Sequence, residues 1–150
     1  MKKLFFVIAL MLTSVCASAF EFDGIDLNQP YSKVARQISE KGYTFNNELN
    51  CLEGNCHGTN IYLSINYVDV SKRGMLGQLI VQIPFGNRAD QFDEVSTIFN
   101  VIYHQVQGEK GTLTYEVDDD GTQLVLSQKD GYIVLTYNTP YYSARKNKKN

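Results

Sequence analysis

The sequence predicts an α+β domain in which two helices pack on one side of antiparallel strands, in the order helix, strands, helix, strands. Three observations lead there. Two stretches repeat apolar residues every three or four positions, several others alternate them, and Asp-Gly pairs separate the later alternating stretches. Asp-Gly supplies the positive φ angles of tight hairpins, and hairpins rather than crossover helices join antiparallel neighbours.

The first helix starts near Asn28, with Tyr31, Val34, Ala35 and Ile38 on one face. Asn28 is its expected cap, Pro30 suits the first turn, and Gly42 ends it with Tyr43 folding back as the hydrophobic contact. Two strands follow. Ile61, Leu63, Ile65 and Tyr67 alternate with Tyr62, Ser64 and Asn66, and Leu79, Val81, Ile83 and Phe85 alternate with Ile80 and Gln82. Lys72, Arg73 and Pro84 are placed to discourage pairing at exposed edges.

The second helix starts near Asp90, with Asp93 and Glu94 beside the positive end of its dipole. Phe92, Val95, Phe99, Ile102 and Val106 form its buried stripe, Ile98 and Val101 widen it, and Gly108 closes it. His104 falls on the flank of this helix. A meander of three strands follows at residues 113–117, 123–127 and 132–137, turning at Asp119-Asp120-Gly121 and Lys129-Asp130-Gly131. The chain thus reads as two tandem halves, each a helix plus a small meander of the αβββ kind.

Lys2 and Lys3, an apolar run over residues 4–12, and Ala17-Ser18-Ala19 form a secretory signal, with cleavage expected after Ala19. The run is too short for a permanent membrane span. Cys16 follows Val15, whereas lipoprotein processing wants a small residue there. The expected organisation is a signal peptide at 1–19, one α+β domain at 20–144 and a basic flexible tail at 145–150. Export places the mature protein in the periplasm or outside the cell.

The whole chain of 150 residues carries 14 Lys plus Arg against 16 Asp plus Glu. Losing Lys2 and Lys3 leaves −4, and setting aside Arg145, Lys146, Lys148 and Lys149 leaves −8 over residues 20–144. An acidic body argues against nucleic acid as a partner.

Cys51 and Cys56 remain after export, and an exported chain with two cysteines ordinarily joins them. The bridge requires Glu53-Gly54-Asn55 to turn the chain. One extended strand would hold the two Cα atoms about 16 Å apart, beyond the ~7 Å limit of a disulfide. The expectation is a structural disulfide between Cys51 and Cys56. A zinc tetrad of Cys51, Cys56, His57 and His104 lacks the usual two-residue cysteine spacing, and no Cys-x-x-Cys redox motif is present. A joined thiol cannot act as a nucleophile beside His57 or His104.

Other chemistry fails motif by motif. Gly74-Met75-Leu76-Gly77 lacks the features of a phosphate-binding loop. Ser143 and Lys146 have a penicillin-binding spacing without its companion motifs. Glu116, Asp118, Asp120 and Gly121 imitate a calcium loop, but Leu124 and Ser127 stand at its ninth and twelfth positions. Glu21, Asp23 and Asp26 cluster as surface acids rather than as a tuned catalytic pair. No catalytic residue, cofactor or metal is expected. The candidate interface is aromatic: Tyr62, opposite the apolar face of its strand, and Tyr141 and Tyr142 at the end of the last strand.

Gly24-Ile25-Asp26-Leu27-Asn28-Gln29-Pro30-Tyr31-Ser32-Lys33-Val34, followed by Ile38 and Lys41-Gly42-Tyr43, resembles the opening of small exported β-lactamase-inhibitor-like domains. It is also similar to the helical opening of outer-membrane assembly lipoproteins of the SmpA/OmlA type. The resemblance implies a non-enzymatic domain that works by protein contact through its sheet face or hairpin tips. The expected function is therefore protein binding in the cell envelope or outside the cell, with no nucleic acid and no membrane span. The alternatives are a small-ligand carrier with an aromatic-lined cleft and, third, a hydrolase built on unrecognised acids or on Cys51 and His57.

Overall fold

The computed structural model describes residues 20–70, 73–84, 91–118 and 120–142. The expected signal peptide, the basic tail from residue 145, and Phe85 lie outside them. The chain is α+β, and its sheets are antiparallel.

A small hairpin opens the chain, β1 (Glu21–Phe22) against β2 (Ile25–Asp26). Asp23 and Gly24 form its tip with φ of 49° and 78°, the angles of a type I′ turn. Helix α1 (Tyr31–Glu40) follows, then β3 (Thr44–Asn46), β4 (Cys51–Cys56), β5 (Thr59–Val70) and β6 (Arg73–Pro84). Helix α2 (Gln91–Ile102) leads into β7 (His104–Val106), β8 (Leu113–Glu116), β9 (Gln123–Lys129) and β10 (Tyr132–Asn138). β3 to β10 make one eight-stranded sheet in the order β3-β4-β5-β6-β10-β9-β8-β7. Each helix is thus followed by a meander of four strands, one more than the sequence suggested, and β6 joins β10 at the centre.

The register explains the core. Leu63 lies opposite Val81, Val81 opposite Leu135, and Leu135 opposite Leu126, while Ile65, Leu79, Tyr137 and Leu124 form the next row. Directly opposed residues share a side of the sheet, so both rows project together. They join Val34 and Ile38 of α1 and Val95 and Phe99 of α2 in one buried cluster. Phe22 and Ile25 bring the opening hairpin into the same cluster.

Several boundaries differ from the sequence reading. The cap of α1 is Pro30, whose carbonyl accepts the amides of Lys33 and Val34. Asn28 instead donates its own amide to Asp26 Oδ1 at 2.9 Å. Helix α2 stops at Ile102, so His104 belongs to an outer strand and not to the helix. Val101 is 83% exposed, and the buried face of α2 is limited to Gln91, Val95 and Phe99. A helix lying on a sheet buries one stripe, and the last turn of the expected stripe was claimed by strand pairing with β8. β5 and β6 are interior strands rather than edges. The edges are β3 and β7, and both are only three residues long, which limits pairing with other chains.

Candidate functional site

Two features stand out, a polar cluster beside the opening hairpin and a groove on the opposite side of the sheet. The first rests on a correction. Cys51 and Cys56 lie at the two ends of one continuous strand, β4, and both are free thiols. Glu53, Gly54 and Asn55 are strand residues paired with β5, so the turn that a bridge needs does not form. The five-residue offset also puts the two side chains on opposite sides of the strand, with Cys56 buried and Cys51 half-buried.

The chain turns two residues later. His57 and Gly58 form the tip between β4 and β5 with φ of 50° and 89°, again a type I′ turn, and Asn55 Oδ1 accepts the Gly58 amide at 2.9 Å. This tip meets that of the opening hairpin. His57 Nε2 lies 3.2 Å from Asp23 Oδ1, and Lys41 Nζ lies 3.9 Å from the same oxygen. Cys56 Sγ completes the group, whose three donor atoms all lie within 4.8 Å of one another.

Tyr43 closes the cluster from within the core. Its ring lies across the backbone of Gly54, where any added Cβ would overlap ring carbons. Glycine at that position is what admits the ring. The Tyr43 hydroxyl is buried beside the Cys56 thiol and finds no hydrogen-bond partner of good geometry among the described residues. Burial, then the Cys56 and Asp23 charges, hold this phenol well above the usual tyrosine range. Burial first, and then Asp23, push the Cys56 thiol up to about 11. A thiol held protonated in this way is a poor nucleophile at neutral pH.

The second feature is a groove of about 670 Å³ lined by Gln78, Thr114, Gln123, Thr136, Asn138 and Tyr142 among others. Gln123 and Val125 alternate along β9 with buried Leu124 and Leu126, so the groove faces away from the core. Side-chain amides form a ladder at its rim: Asn66 Nδ2 donates to Gln78 Oε1 at 3.0 Å, and Gln78 Nε2 donates to Asn138 Oδ1 at 2.9 Å.

The candidate aromatics divide. Tyr62 lies on the groove side of β5, half-buried, with its ring edge-on to Tyr132 at 5.9 Å. Tyr141 and Tyr142 do not end a strand; β10 stops at Asn138 and both sit in a helical turn, where Tyr142 donates its amide to Thr139 O. Tyr142 reaches the groove. His104 lies on β7 at the far edge of the sheet from β4, so the zinc tetrad is not assembled. The calcium-like segment is a strand connection in which Asp120 Oδ1 is taken up by the amide and hydroxyl of Thr122. Asp26 is occupied by Asn28. Among the described residues no helix is long and apolar enough to cross a membrane.

Sequence reasoning missed Asp23, Lys41 and Tyr43 as site residues. The sequence reading placed no turn at Asp23-Gly24 or His57-Gly58, and nothing in the spacing of these dipeptides says that the tips meet. No family model, curated protein or solved structure matches the chain.

Proposed function

We propose that this chain is an exported, non-catalytic domain that binds a protein through the side of its sheet facing away from the helices. The groove carries the reading. Apart from the carboxylate of Glu109 and the apolar Val125, the side chains that line it are mostly neutral amides and hydroxyls, groups that pair with peptide N–H and C=O without the desolvation cost of a charge.

Both helices contribute to one buried cluster, with α1 touching β5 and β6 and α2 touching β9. We read this as two tandem helix-plus-meander halves with both helices on one side. That arrangement supports the mode of action implied by the resemblance to β-lactamase-inhibitor-like domains. The acidic body favours a partner with a basic rim.

The groove's size also falls within the range of about 300 to 1,000 Å³ used for small ligands, which keeps a carrier in play. Its lining fits a hydroxyl-rich ligand rather than the flat apolar ligand of an aromatic-lined cleft. A photo-crosslinking residue at Gln123, compared with one at exposed Ser39 on α1, separates the readings in envelope and extracellular fractions. Protein adducts at position 123 alone support the proposal. Adducts at position 39 alone, or a hydroxylated small molecule that raises Tm and blocks position 123, refute it.

A further inference from the structure

We propose that Asp23, Cys56 and His57 form a binding site for a borderline divalent transition metal, with Zn2+ as the best fit. The donor set is one thiolate, one imidazole and one carboxylate, the mixture that suits zinc and not calcium or magnesium, which prefer oxygen alone. Metal–ligand distances of about 2.0 to 2.3 Å at the tetrahedral angle place donor atoms about 3.3 to 3.7 Å apart. Asp23 Oδ1 and His57 Nε2 are 3.2 Å apart already, and all three donors lie within 4.8 Å. Only small side-chain adjustments separate this arrangement from coordination.

The backbone prepares the site. Asp23 and His57 each hold a positive φ at the tip of a tight hairpin, and the Asp-Gly and His-Gly turns present both side chains toward Cys56 at the end of β4. Three protein ligands leave a fourth position open, as in zinc sites that keep a water. The buried Tyr43 hydroxyl, without a partner of good geometry among the described residues, lies beside the Cys56 thiol. Lys41 now neutralises Asp23; its side chain is 41% exposed, so it can swing to solvent when a cation takes its place. Binding converts the Cys56 thiol to a thiolate bonded to the metal, and its proton leaves to water.

The test is a Co2+ titration of the reduced mature protein, followed by Zn2+. The expected result is a near-ultraviolet thiolate-to-cobalt absorption that saturates at one metal per chain, is abolished by Zn2+, and is unaffected by excess Ca2+ or Mg2+. Asp23→Asn and His57→Asn keep a residue that tolerates positive φ while removing a ligand, so they should fold and weaken binding on the order of tenfold or more. Cys51→Ser should leave the signal intact. Absence of the thiolate band overturns the site, as does a band lost in Cys51→Ser but kept in the Asp23 and His57 variants. Saturation at one metal per two chains overturns it as well.

Discussion

The two helix-plus-meander stretches repeat one corner and finish it differently. In each, a helix runs into a partly or fully buried tyrosine, and the tyrosine leads directly into a three-residue edge strand: Tyr43 before β3 and Tyr103 before β7. The first helix stops through Gly42 at φ 96°, whereas the second carries on to Tyr103, whose amide bonds Phe99 O at 2.8 Å. Around Tyr103 the environment is aromatic: Phe99 and Tyr115 stand edge-on at 5.6 Å, and Tyr103 faces both. Tyr43 has the Phe22 ring at 6.5 Å but also a polar flank, because the opening hairpin lays Asp23 against Cys56 and His57. The same corner is thus a plain core element in one half and the wall of a chemical cluster in the other. The difference comes from one added hairpin, not from the corner itself.

The strongest way to break this comparison is Phe99→Ala. Phe99 is fully buried between Tyr103 and Tyr115, and its loss should cost about 3 to 5 kcal/mol in urea unfolding at constant m-value. A cost under about 1 kcal/mol would show that the second corner is not core.

Gly54→Ala comes next. Alanine ordinarily improves on glycine inside a strand, yet here the methyl group would strike the Tyr43 ring, and the expected outcome is a loss of about 1 to 3 kcal/mol. A neutral or raised Tm would mean that the ring does not lie on Gly54. Tyr43→Phe should have a smaller effect of opposite sign. It removes a buried hydroxyl without a good partner, so the metal-free protein should gain up to about 1 kcal/mol, and a loss of that size would reveal a real hydrogen bond.

The mildest test is absent at neutral pH. Burial pushes Tyr103 up to about 12, above the ordinary value near 10. The folded chain keeps this proton after the unfolded chain has lost it, so stability should be unaffected below about pH 10 and fall as pH rises from there toward 12. Tyr103→Phe should flatten that decline in alkaline melts; an unchanged slope would place the titration elsewhere.

Much of the fold was readable because its signals are local. The alternation from Ile61 and from Leu79, the stripe through Val95 and Phe99, and the turn at Asp130-Gly131 all describe contacts between near neighbours or one side of one element. The errors fell where two elements compete for a segment. Val106 and His104 continue the helical pattern of α2, but pairing with Thr114 and Glu116 takes them into β7. Glu53-Gly54-Asn55 looks like a turn, but pairing of all three residues with β5, and of Glu53 with β3 as well, keeps it extended. The disulfide expectation failed with that turn.

The sequence by itself determined the class of the fold, the acidic body and the tight Xaa-Gly hairpins, since patterning, charge and φ preference are properties of residues and their immediate neighbours. Only the tertiary structure decided that Cys56 faces His57 and Asp23 instead of Cys51, and that the amides of Gln78, Gln123 and Asn138 share one groove. Those arrangements depend on strand register and on where distant turns come to rest, and register is set by the packing of the whole sheet at once.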